Sequence, residues 1–218
     1  MDKEPERYYD WILWKFRQEK EQNNMQPTIV NMDTPDVVKE RKVNLLTLDS
    51  VVLTMQGIDN EKIKNAIYKD IDKKIDWFKT QSGDYFTEFE DSELPINSDT
   101  EPLKEVLTKT VSTYVRQPVE FYQWWGHVIP PNASTNYHHH RGEAEVSCVY
   151  YVEVPENSGD IIFILEASVK EYREVIKSKT NDLIVFPSFI PHMTGKNKSN
   201  KDRISVSANF KLLGGEGV

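Results

Sequence analysis

The sequence predicts a mostly β domain with flanking helices, and three observations point there. Helical periodicity is confined to the chain before residue 119. From Val119 onward the apolar positions follow strand-like patterns, and turn-forming residues cut that stretch into segments of strand length. Helices followed by a run of short strands suit an antiparallel barrel or sandwich with helices packed on one outer face. At 218 residues, with 38% hydrophobic side chains, the chain can fill one core of ordinary domain size. We expect residues 1–40 to form an N-terminal extension, partly helical, and residues 41–218 a single domain.

Taken in order, Tyr8, Tyr9, Trp11, Ile12, Trp14 and Phe16 are crowded enough for one short amphipathic helix, followed by the polar tract 17–24. Such a helix either packs on the domain or serves a partner, a second copy of the chain included, so a homodimer stays open. Gln26-Pro27 and Thr34-Pro35 punctuate a loop. Residues 43–55, rich in β-branched and apolar side chains, read as one or two strands. Ile63, Ile67, Ile71, Ile75 and Phe78 mark one face of a helix that begins near Asp59-Asn60 and ends by Ser82-Gly83. A polar loop runs from Thr80 to about Thr100. The next helix carries Pro102 in its first turn and Leu103, Val106, Leu107, Val111 and Tyr114 on its buried side. Strands are expected over 119–129, 146–154, 160–166, 182–187 and 203–211, separated by turns at 130–132, 155–159, 180–182 and 196–200. The tail from Gly214 to Gly217 should fray.

Composition narrows the function classes. A charged share of 28% and a mean hydropathy of -0.61 describe a well-solvated surface. No apolar run reaches the roughly 20 residues that a membrane helix needs. The charged start, Met1 to Arg7, lacks the apolar core of a signal peptide. Cys148 is the single cysteine, which excludes an internal disulfide and fits a reducing compartment, so a cytoplasmic location is expected. The net charge of -8 argues against nucleic acid held through its phosphates and favours a small molecule or a basic peptide as substrate.

In the last strand Arg203, Ser205, Ser207 and Asn209 alternate with Ile204, Val206, Ala208 and Phe210, so the two sets face opposite sides. The apolar set needs the helices. The polar set then faces either solvent or a polar barrel interior that binds something charged. Four of the five histidines fall in two short pieces, 136–141 and 186–193. His138 and His140, two apart, project to one side of an extended segment and can reach one ion, while His139 points away. His192 follows the buried-looking run Leu183 to Phe186. Imidazole suits Fe(II), Zn(II), Cu and Ni alike, and three consecutive histidines also occur in exposed polar loops. Of Trp124 and Trp125, one should face the core and the other can border an entrance; His127, on the same strand, should satisfy a local hydrogen bond.

His138-His139-His140, then Ser147-Cys148-Val149-Tyr150-Tyr151, then Phe186 to His192, then Arg203-Ile204-Ser205 form an ordered set. In order and spacing it resembles the 2-oxoglutarate- and Fe(II)-dependent oxygenases, in particular a small-protein branch related to prolyl hydroxylases and common in bacteria and phages. The resemblance spans residues 119–211. It implies a double-stranded β-helix, a jelly-roll core of cupin type within 41–218, with a metal at its open end. It implies Fe(II), 2-oxoglutarate as cosubstrate and O2, with succinate and CO2 released as an unidentified substrate is hydroxylated. By the same resemblance His192 is the distal iron ligand and Arg203 pairs with the far carboxylate of 2-oxoglutarate, a fork-to-fork contact. Ser205 donates to that carboxylate, and Tyr151 lines the pocket, core packing being its other reading. Asn209, on the polar face of the last strand, counts with the cofactor-binding residues.

One departure stands out. The superfamily's usual iron site is two histidines and a carboxylate, with His-x-Asp or His-x-Glu as the first pair, and this sequence contains neither. Either His138, His140 and His192 form a three-histidine site, or an acid outside the pattern, Glu143 or Glu145, completes it. A neutral triad leaves a more positive metal. Cys148 stands where the family often has glycine and reads as a small core residue. Two other functions stay open: a cupin-type metal dioxygenase that does not use 2-oxoglutarate, and a non-catalytic β-barrel binding module.

Overall fold

The apolar stretch near residue 50 forms two antiparallel strands, β1 (Val37–Leu45) and β2 (Leu48–Met55), paired from Val37 with Met55 to Leu45 with Leu48. The computed structural model describes residues 37–45, 48–72, 82–86, 97–167 and 170–213. Helix α1 (Asn60–Asp72) begins where the Asp59 carboxylate accepts the Lys62 N–H at 3.3 Å, and it buries Ile63, Ile67 and Ile71 at steps of one turn. After β3 (Tyr85–Phe86), helix α2 (Glu101–Val115) carries Pro102 in its first turn, where the missing N–H costs nothing. It buries Leu103, Leu107 and Val111, whereas Val106 and Tyr114 are only half-buried, because they lie at the margin of that face.

The strands that follow are β4 (Val119–Ile129), β5 (Val146–Glu153), β6 (Ile161–Ala167), β7 (Lys170–Ile176), β8 (Asp182–Pro187), β9 (His192–Thr194) and β10 (Arg203–Leu212). Among the described residues one antiparallel sheet has the order β1-β2-β8-β5-β10-β4-β3, and a smaller one the order β7-β6-β9. This is a double-stranded β-helix with helices at its side. The five strands expected from residue 119 onward agree with the observed ones to within a residue at either end, whereas β1 begins at Val37, six residues before the stretch expected over 43–55. β3, which falls in the stretch expected as a polar loop, and β7 and β9 were not expected. β7 is an edge strand whose residues 171–175 are all exposed and mostly charged, so no alternation marks it. β9 is too short to show a period.

β10 is central and buried on both faces, with every residue from Arg203 to Phe210 inside. It is therefore not a surface strand. Its apolar set packs in the core with Trp124 and Phe121: the Phe121 ring stands edge-on to Trp124 at 5.5 Å and to Phe210 at 5.2 Å. α1 is tied to the sheet by Asn60, whose Oδ1 accepts the Tyr150 hydroxyl at 2.7 Å and whose Nδ2 donates to Asn181 at 2.7 Å. The N-terminal helix expected over 8–16, the prolines after it, Ile75 and Phe78 with the expected helix end, most of the 80–100 loop and the tail 214–217 lie outside the described residues. Replacing Phe210, fully buried, with alanine should lower stability by about 3–5 kcal/mol; urea titration measures this, and a change below about 1 kcal/mol would contradict the packing described.

Candidate active site

Backbone pairing brings the two histidine pieces together. The N–H groups of His138 and His192 each donate to the other's carbonyl, at 3.0 and 2.9 Å, and His140 N–H donates to the Ser188 carbonyl at 2.9 Å. These bonds hold 138–140 extended beside β9, so alternate side chains share a side. One ligand atom from each of His138, His140 and His192 then lies within 4.8 Å of the others. His139 is exposed and turned away, its Nδ1 accepting the Arg141 N–H at 3.2 Å.

The donors are set by their outer partners. His138 Nδ1 lies 2.8 Å from the Asn136 carbonyl and His192 Nδ1 lies 2.9 Å from the Ile190 carbonyl. A carbonyl only accepts, so each Nδ1 carries the proton and each Nε2 keeps its lone pair, the arrangement metal-binding histidines use. His140 Nδ1 faces the Glu143 carboxylate at 3.5 Å. Glu143 is 55% exposed and stands outside the three-histidine cluster; Glu145 accepts the Leu212 N–H at 3.1 Å, away from it. Among the described residues the cluster is thus made of three imidazoles. Burial, reinforced by the neighbouring histidines, lowers the pKa of His192 well below 6.5 and that of His140 to about 4, and burial lowers His138 too. All three are neutral near pH 7, which fits them to Fe(II) or another divalent metal.

A cavity leads inward from the histidines, lined by Trp125, His127, Ser147, Tyr151, Phe186, Arg203, Ser205, Ser207 and Asn209 among others. The polar face of β10 therefore lines the barrel interior. Arg203 is 2% exposed, sits 4.9 Å from the centre of the Tyr151 ring, and donates a long hydrogen bond, 3.5 Å, to the Ser178 hydroxyl. Among the described residues neither its Nε nor the buried Tyr151 hydroxyl makes a hydrogen bond of normal geometry. A guanidinium taken out of water needs an anion. The unpaired donors of Arg203 and Tyr151 fit the carboxylate of a ligand such as 2-oxoglutarate, with Ser205 beside them.

Trp124 is fully buried in the core, while Trp125 is partly exposed with its ring 5.4 Å from that of His140. His127 does more than satisfy one bond. Its Nε2 lies 2.8 Å from the Asp84 carboxylate and 3.2 Å from the Thr135 hydroxyl, all three buried, and its ring lines the cavity. Asp84 had no sequence signal: it sits in a polar stretch rich in acids, and only the β3–β4 pairing carries it inward. Burial, the largest cause, lowers the His127 pKa although Asp84 opposes it. Cys148 is a buried core thiol whose pKa burial raises.

The four lowered histidines bind a proton more readily in the unfolded chain than in the folded one. Their contribution is therefore intact above pH 6.5 and is lost as pH falls below it, down to and beyond the value near 4 at which His140 titrates. The urea midpoint of the metal-free protein should fall between pH 7 and pH 5, and fall less in His140→Gln. A flat profile would contradict the burial of these rings.

Residues 123–209 match the 2OG-Fe(II) oxygenase family. No curated protein matches the chain. Among solved structures, a prolyl-4-hydroxylase from Pseudomonas putida aligns with a TM-score of 0.51 at 13% identity, covering 76% of this chain and 94% of that one. An oxidoreductase of the 2OG-Fe(II) oxygenase family from Burkholderia pseudomallei aligns with a TM-score of 0.56 at 11% identity, covering 74% and 84%. The epimerase SnoN, solved in complex with Fe3+, alpha ketoglutarate and nogalamycin RO, aligns with a TM-score of 0.52 at 12% identity, covering 74% and 78%. At such identities these likenesses speak to the fold, and the family match to the motif-bearing core. The barrel thus has the fold of these oxygenase structures, and its core, residues 123–209, is similar to the 2OG-Fe(II) oxygenase family.

Proposed function

We propose that the enzyme hydroxylates a C–H bond of a small molecule or peptide, with His138, His140 and His192 holding Fe(II) through Nε2. Arg203, Ser205 and Tyr151 hold the far carboxylate of 2-oxoglutarate. The observation that carries this is the buried guanidinium of Arg203, which makes no ion pair among the described residues, lining the same cavity as three converging neutral imidazoles. Bound Fe(II) and 2-oxoglutarate supply the oxidising power, with O2 consumed and succinate and CO2 released.

The chain's own groups do the rest. The Asn136 and Ile190 carbonyls fix the tautomers of His138 and His192, and the Glu143 carboxylate faces His140, so the lone pairs are aimed before a metal arrives. Arg203 offers two parallel N–H donors to a carboxylate, and its burial strengthens that contact. Phe186, whose ring lies 5.0 Å from that of His192, and Phe163, at 6.0 Å, wall the metal end with apolar surface and keep water away. Trp125 and the exposed Tyr137 supply aromatic surface near the histidines for a substrate. The acidic balance supports a neutral or basic substrate over nucleic acid, and the lone buried Cys148 supports action in the cytoplasm.

Anaerobic addition of Fe(II) and then 2-oxoglutarate should produce the weak visible charge-transfer band of a chelated keto acid. His192→Ala should lose the metal by elemental analysis, while His139→Ala retains it. Arg203→Ala should keep the metal yet weaken 2-oxoglutarate by a factor of about 100 or more, the scale of a desolvated charge pair. Undiminished 2-oxoglutarate binding in Arg203→Ala, or no band in the unmodified protein, sinks the assignment.

A further inference from the structure

Asn209 is fully buried on the inward face of β10, and the two ends of its amide have different fates. Oδ1 accepts the Ser147 hydroxyl at 2.7 Å, and Ser147 shares a 2.8 Å hydrogen bond with the Ser188 hydroxyl. That leaves Nδ2, which only donates, without a partner among the described residues. A buried donor held by its own oxygen and left unpaired calls for an acceptor that a ligand brings.

Position says which part of the ligand. Arg203 and Asn209 are six steps apart on one strand, about 20 Å between Cα atoms at roughly 3.3 Å per residue. 2-Oxoglutarate spans about 5 Å between its carboxyl carbons, from four C–C bonds of about 1.5 Å each. The two residues are too far apart to share one carboxylate, and a ligand anchored by Arg203 reaches toward Asn209 with its opposite end. Ser188 gives the same answer: its hydroxyl joins the Ser147–Asn209 chain while its carbonyl accepts the His140 N–H at 2.9 Å, so Asn209 belongs to the histidine end.

The geometry points to Asn209 as the hydrogen-bond donor for the keto-acid end of 2-oxoglutarate, a positioning residue kept in orientation by Ser147 and Ser188. The inference rests on the proposed function of the cavity. A triad of neutral imidazoles brings no negative charge, so the keto-acid carboxylate enters a water-poor cavity as the anion beside the metal. A fixed amide donor there replaces part of its lost hydration.

Calorimetric titration of the anaerobic Fe(II)-loaded protein with 2-oxoglutarate, pyruvate and glutarate tests this. Pyruvate carries the keto-acid end alone, and glutarate carries two carboxylates without the keto group. Asn209→Asp keeps the shape and the acceptor for Ser147 while exchanging the donor for a negative charge. It should weaken 2-oxoglutarate, pyruvate and glutarate about tenfold or more, whereas Arg203→Ala should weaken 2-oxoglutarate and glutarate and leave pyruvate, which lacks the far carboxylate, unchanged. Ser147→Ala, which frees the amide to turn, should weaken the same three acids by a smaller factor, and it stands in if Asn209→Asp fails to fold. Unchanged pyruvate affinity in both variants, with 2-oxoglutarate still lost in Arg203→Ala, overturns the role of Asn209 and leaves the proposed function standing. Pyruvate weakened as much by Arg203→Ala as by Asn209→Asp overturns it as well, marking a general structural role. An unmodified protein that binds no 2-oxoglutarate removes the proposed function and this inference together.

Discussion

The two reciprocal hydrogen bonds between the His138 and His192 backbones are the contact on which the site depends. Residues 136–141 form no long strand of their own, so nothing local fixes their course. The bonds to His192, with the third from His140 to Ser188, lay this segment along the small sheet and make it an extended arm. Extension then decides the rest: alternate side chains share a face, so His138 and His140 turn toward His192 and His139 turns out. Each of these backbone bonds contributes ~1 kcal/mol by itself. Their larger effect is to convert a sequence repeat into a three-point donor set.

The interior of the barrel is costly, and its cost has a direction. Arg203, Tyr151 and Asn209 all bury polar atoms without partners. A sheet whose only purpose was stability would place apolar groups there, as β10 does on its other face with Ile204, Val206, Ala208 and Phe210. Unmet donors inside a cavity concentrate the demand for an anion along one line from Arg203 to the histidines. The apolar side of β10, with Phe121, Trp124 and the helices, supplies the stability that lets the polar side go unsatisfied.

The Asp84–His127–Thr135 group shows a second way in which the cavity is held. Asp84, the residue before the two-residue strand β3, reaches His127 and orients the ring that stands opposite Ser205 in the strand register. This buried carboxylate is engaged with His127, and the three-histidine cluster among the described residues includes no acid.

Much of this was legible in the residues. Alternation from Arg203 to Phe210 announced a two-faced strand, because strand geometry sends neighbours to opposite sides whatever surrounds them. The Ile63, Ile67, Ile71 spacing announced α1 for the same kind of reason, and the histidine, Phe-Pro and arginine spacing announced the chemistry. What the residues could not say was what each face meets. An alternating strand is equally suited to solvent or to a cavity, and only the second sheet and the helices, closing on both faces of β10, decided for the cavity. β7 was illegible because its charges tolerate exposure and its pairing with β6 is backbone chemistry, indifferent to side chains. Glu143 was a plausible ligand by nearness in sequence, yet the turn after His140 puts it beside that ring's outer nitrogen. By itself, then, the sequence determined which residues alternate, which helix faces are apolar and which chemistry-bearing groups exist, since these follow from local periodicity. Which nitrogen of each histidine is free, which buried donors lack partners and which acid meets which ring were decided by the tertiary structure alone, since each depends on atoms brought together from distant parts of the chain.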